Sequence, residues 1–156
     1  MKFAWMLLAA ATVAAPAVTL SGDKALVLPA HDVNSQLDAL VAQAKPTGSA
    51  GPIIADYGKL SLMLSVRTAN GVGELHQNVD DIMIVKKGTA TIVTGGALVD
   101  PKTVSDGELR GTSVKDGVSK SIAEGDVIIV PAGLPHQILV PQGTVYESLV
   151  AKVKEK

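Results

Sequence analysis

The sequence contains no cysteine, so no disulfide framework holds it together. Aromatic residues are nearly as scarce: one Trp, one Phe and two Tyr make up 3% of the chain. Phe3 and Trp5 both fall in the opening segment, which leaves Tyr57 and Tyr146 for the rest. That excludes the exposed aromatic platforms on which bases or sugars stack, although sugar recognition through hydrogen bonds stays open. An excess of either charge is also missing. The 14 basic and 15 acidic residues leave a net charge of −1, too balanced for a nucleic-acid binder. No repeat of fixed period and no low-complexity tail occurs. Disorder is excluded as well, because Val, Ile and Leu are abundant and turn residues punctuate them regularly.

What is present begins with an apolar run from Phe3 to Leu20, preceded by Lys2. A basic residue, a short apolar stretch and the small-x-small site Ala15-Pro16-Ala17 form the pattern of a secretory signal peptide. The run falls short of the ~20 apolar residues that a membrane span needs, unless residues 18–20 are counted in. The expectation is therefore a leader at 1–17 cleaved after Ala17, export to the periplasm or beyond, and no stable membrane span afterwards. The remainder has an aliphatic core and one domain's worth of chain. Packing must stabilise it, with help from a bound metal or a partner subunit.

Residues 18–52 read as a helix and linker. Val33, Leu37, Leu40, Val41 and Ala44 recur at helical spacing, Asp32 or Ser35 is placed to cap the start, and Pro46 with Gly48 ends the run. From residue 53 the period becomes two. Leu60, Leu62, Leu64 and Val66 alternate with Ser61, Met63, Ser65 and Arg67, giving one buried and one mostly polar face. Further strands are expected at 82–86, 89–94, 118–122, 126–130, 136–140 and 144–153, separated by Gly- and Pro-containing turns. Many short strands at such intervals indicate an all-β sandwich or barrel. Residues 97–117 carry Asp100-Pro101, Asp106-Gly107 and Asp116-Gly117 and read as a long excursion with little regular structure, a lid or surface loop.

Of the three histidines, His31 precedes the helix and reads as a solvent-facing residue. In an extended segment Glu74 and His76 point to one face, because strand side chains alternate. A carboxylate and an imidazole so placed make half of a metal site, which Asp81 and His136 from other strands could complete. Such donors suit iron, manganese, copper or zinc. A histidine at a strand end also serves as a structural hydrogen-bonding residue, so spacing alone leaves both roles open. Asn78, Asp80 and the pair Lys86-Lys87 read as surface positions, and Tyr146 as either a barrel-lining or a packing residue.

Gly125, Pro131, Gly133 and His136 meet the motif G-x5-P-x-G-x2-H-x3-N at every spacing up to its last position, where Val140 replaces Asn. In this the chain resembles the cupin superfamily. The first cupin motif is met in part: Gly88 closes it, Asp81 stands where the family has Glu, His76 is its second histidine, and Glu74 replaces the first. Thr68 replaces the opening Gly. The resemblance implies a cupin-type β-barrel, a double-stranded β-helix or jelly roll over 53–156. It also implies a divalent transition metal held by Glu74, His76, Asp81 and His136, with Glu74 serving as a base. The family usually supplies three histidines and one glutamate; two histidines and two carboxylates make the set harder and favour Mn or Fe over Cu or Zn. The implied activity is that of a metal-dependent oxidoreductase acting on a small oxygenated molecule. The alternative is a non-catalytic cupin that binds or senses a small molecule such as a sugar. Cupins also commonly form homodimers, which would cover sheet edges.

Overall fold

The computed structural model describes residues 18–19 and 25–155. The expected leader lies outside the described residues. Helix α1 (Ala30–Ala44) follows the short strand β1 (Val18–Thr19). The strands after it are β2 (Ser49–Ala50), β3 (Ile53–Asp56), β4 (Leu60–Arg67), β5 (Gly73–His76), β6 (Val79–Lys87) and β7 (Thr89–Thr94). Four short ones come next: β8 (Ala97–Val99), β9 (Lys102–Ser105), β10 (Glu108–Gly111) and β11 (Ser113–Lys115). The series ends with β12 (Val118–Ala123), β13 (Val127–Val130), β14 (His136–Leu139) and β15 (Tyr146–Lys154).

Thirteen of these strands form two facing sheets, and β8 with β11 forms a separate two-stranded one. One runs β1-β3-β4-β15-β6-β13 with β2 beside β4, and the other runs β12-β7-β14-β5-β10-β9. Between them lies an aliphatic core of Met83, Val85, Ala90, Ile92, Ile122, Val130, Ile138, Val140 and Val150, with Tyr146 among them. A second core lies on the outside of the first sheet. There Val33, Leu37, Leu40 and Ala44 of α1 cover Ile54, Leu64 and Val66.

The alternation in β4 therefore works in an unexpected sense. Its apolar residues Leu64 and Val66 face outward beneath the helix, while Met63, Ser65 and Arg67 line the barrel cavity. The helix also starts differently from the expectation. It begins at Ala30 rather than near Asp32, and neither Asp32 nor Ser35 caps it. Pro29 precedes it, and the Pro29 carbonyl accepts the first amides, those of Asp32 and Val33.

Residues 97–117 are not an irregular excursion. Strand β8 pairs with β11, and β9 with β10, which in turn joins β5. The Asp and Gly residues that read as loop chemistry are tight connections between these strands: Gly107 turns the β9–β10 hairpin at φ 71°, and Asp100 and Asp116, at φ 50° and 58°, join β8 to β9 and β11 to β12. Gln137 anchors the segment, accepting from the Val114 amide at 3.0 Å and donating to the Gly71 carbonyl at 2.7 Å. Gly88 turns β6 into β7 at φ 82°, where any Cβ would collide with the Val145 carbonyl.

Candidate metal centre

Strand register assembles the site. Glu74 lies opposite Arg110 on one side and His136 on the other, His76 lies opposite Glu108, and Asp81 lies opposite Lys152. The turn that delivers His136 is tied to the same strand ends. The Gly133 amide donates to the His76 carbonyl at 2.7 Å, and the Ala132 amide donates to Asp80 Oδ1 at 2.8 Å. Asp80, expected at the surface, thus braces this turn. Asn78 is exposed, as are His31 and Lys87.

The four residues singled out by sequence come together. Among the described residues, donor atoms of Glu74, His76 and His136 all lie within 4.8 Å of one another. His76 Nε2 is 3.8 Å from Glu74 Oε2 and 3.2 Å from Asp81 Oδ2, and His136 Nε2 is 3.8 Å from Asp81 Oδ2. Each imidazole has its other nitrogen next to an acceptor. His76 Nδ1 meets Glu108 Oε2 at 2.6 Å, and His136 Nδ1 meets the Leu134 carbonyl at 3.2 Å. Both acceptors place the hydrogen on Nδ1 and leave Nε2 as the end turned toward the carboxylates.

Charges balance around these groups. Burial alone would raise the Glu74 pKa, yet Arg67 at 2.8 Å and Arg110 at 3.5 Å hold it below the usual carboxylate range. Burial likewise opposes ionisation of Asp81, but the His76 hydrogen bond and the Lys152 ammonium at 2.7 Å outweigh it and lower its pKa. For His76, burial is outweighed by Asp81 and Glu108, and its pKa lies above the ordinary histidine value. For His136, burial dominates and holds its pKa below the ordinary histidine value. The cavity beside these groups has a volume of about 270 Å³; Ser65, Tyr146, Ser148 and Ile138 contribute to its wall. The Tyr146 hydroxyl is buried there without a hydrogen-bond partner.

Two imidazoles and a carboxylate at such separations, each imidazole oriented through its remote nitrogen, fit a divalent transition-metal ion. Two arginines fix Glu74 and weaken its basicity, whichever role it takes.

No sequence-family model matches the chain, and no curated protein matches it. Shape is more informative. A protein of Bacillus halodurans superposes with a TM-score of 0.58 at 14% identity, over 89% of this chain and 88% of that one. KdgF from Halomonas sp. gives a TM-score of 0.50 at 14% identity, over 70% and 82%. Oxalate oxidase gives 0.50 at 19% identity, over 70% of this chain and 52% of that one, so this chain spans about half its length. KdgF and oxalate oxidase are cupin-fold proteins. The chain has the cupin fold. At such identities the likeness shows the architecture and leaves the activity to the site.

Within this fold, sequence spacing missed Arg67, Glu108, Arg110 and Lys152. Signals for two of them were present. Lys152 is in phase with Tyr146, Ser148 and Val150 on the last strand, and Arg67 is in phase with Met63 and Ser65 on β4. Glu108 and Arg110 come from the segment read as loop.

Proposed function

We propose that this cupin binds one divalent transition-metal ion, Mn or Fe by the chemistry of the donors, and acts as a metal-dependent oxidoreductase on a small oxygenated molecule. The observation that carries the reading is the convergence of Glu74 and two Nδ1-anchored histidines within 4.8 Å. A bound ion would supply Lewis-acid or redox chemistry at the cavity floor. The protein's own groups do the rest. Arg67 and Arg110 fix the Glu74 carboxylate, Glu108 and the Leu134 carbonyl set the ring orientations, and the unpartnered Tyr146 hydroxyl with Ser65 and Ser148 offers hydrogen bonds to oxygen atoms of a molecule in the cavity.

A second reading, non-catalytic binding of a small molecule, draws support from Lys152, which neutralises Asp81 with no ion required. The leader-like residues 1–17 support export. Exposed Val127 and Ile129 on the edge strand β13, with Ile84 beside them on β6, support pairing with a second copy.

The test is metal analysis of protein purified without chelator or affinity-tag metal, beside a His76→Ala/His136→Ala variant. Near-stoichiometric Mn or Fe in the parent, lost in the variant, supports the metal centre. Equal trace metal in both after reconstitution leaves the non-catalytic reading.

A further inference from the structure

We infer that Lys152 keeps Asp81 out of the ligand set, so that the centre holds its ion on Glu74, His76 and His136 alone. This rests on the metal-binding reading above and changes its chemistry. Sequence spacing treats Asp81 as a fourth donor equal to the others. The fold gives it a different neighbour. Asp81 and Lys152 are register partners on β6 and β15, so the backbone itself carries the lysine into the barrel. Its Nζ lies 2.7 Å from Asp81 Oδ1 and 3.1 Å from His76 Nε2, the nitrogen that would ligate.

An ammonium and a metal ion cannot share that nitrogen. Two cations repel, and Nε2 has a single lone pair to offer. The two contacts of Lys152 differ in what they lose. The His76 contact is to the nitrogen that the ion would occupy. The Asp81 contact is a buried ion pair, and breaking it would strand a carboxylate that is 3% exposed. An arriving ion therefore separates Nζ from His76 and leaves the Asp81–Lys152 pair intact. Lys152 has room for this, since its side chain is 26% exposed and lines the cavity. The outcome is a centre with two histidines and one carboxylate, one negative ligand fewer than the spacing implies, and more open positions for a small molecule.

The experiment is a calorimetric titration of MnCl₂ into the metal-stripped purified protein and into the variants Asp81→Asn, Lys152→Met, Lys152→Arg and Asp81→Asn/Lys152→Met. With Lys152 present, Asp81→Asn is expected to change the Mn(II) affinity by less than about threefold, and Lys152→Arg to behave as the parent. Lys152→Met frees Asp81 and tightens binding by about tenfold or more, and adding Asp81→Asn reverses most of that gain. Should Lys152→Met unfold for want of a partner to Asp81, the melting temperature of that variant with and without Mn(II) replaces the titration. A larger Mn(II)-dependent rise than in the parent supports the inference, and an equal or smaller one overturns it. A loss of about tenfold or more on Asp81→Asn alone makes Asp81 a ligand and overturns the inference while the metal centre stands. Absence of Mn(II) binding in the parent and every variant overturns both.

Discussion

Glu108 tests whether His76 is held as a ligand or only packed into the wall. It lies opposite His76 in the β5–β10 ladder, and its Oε2 accepts from Nδ1 at 2.6 Å. The carboxylate is 25% exposed, so water screens much of its raw Coulomb energy. What remains is orientation of the ring and added basicity at Nε2. Partners of this kind behind a metal-bound histidine carry about 10–100-fold in metal affinity, or about 1.4–2.7 kcal/mol. Glu108→Gln keeps an acceptor oxygen but loses the charge, and is expected near the lower bound. Glu108→Ala loses both and is expected near the upper. Arg110, which donates to Glu108 at 3.0 Å, retains its 3.5 Å approach to Glu74, so urea unfolding of the metal-free protein should shift by no more than about 1 kcal/mol. The assay is competition for Mn(II) against a chelator of known affinity. An unchanged affinity in Glu108→Ala, with the fold intact, would refute the reasoning.

Two further predictions concern the outer core. Leu37→Ala empties a position with no exposure at all, and should cost about 2–5 kcal/mol by urea denaturation while leaving Mn(II) affinity alone, because β4 stands between the helix and the cavity. Glu147 is buried with one oxygen unbonded and Lys87 no nearer than 3.8 Å, and burial pushes its pKa up. An acid raised on folding costs stability when ionised: the cost is absent below its unfolded pKa, grows as pH rises toward the folded value and is complete above it. Glu147→Gln should therefore stabilise the protein by about 1–2 kcal/mol at neutral pH, with the gain vanishing in acid. Denaturation curves across that range check it, and a destabilised variant at neutral pH would count against this reading.

The fold was legible where chain chemistry is local. Pro131, Gly133 and His136 lie in one turn and the start of the strand after it, and the interval from Gly88 back to Glu74 spans two consecutive strands, β5 and β6, so residue counting reached the site. The alternation from Leu60 to Arg67 located a strand and misled about which side faced the cavity, since α1 supplies a second apolar environment that no strand pattern encodes. The segment from 97 to 117 failed for another reason. Its strands are three or four residues long, too short for periodicity to register, and Asp and Gly mark a tight hairpin as readily as a loop. Glu108 and Arg110 were hidden with it. Arg67 and Lys152 were hidden by register, because which cation faces which carboxylate depends on how distant strands align.

The position of β15 bears on how the molecule comes into being. It runs between β4 and β6, with its partners on both sides made much earlier in the chain. Until β15 inserts, β4 and β6 each have a flank without a partner in that sheet. Closure of the first sheet therefore waits for β15 and is dominated by non-local pairing, a slow class of folding step. The same insertion brings Lys152 to Asp81, so the charge balance of the cavity arrives together with the last piece of the barrel, and a chain halted near residue 140 would expose both the open flanks and an unpaired acidic interior.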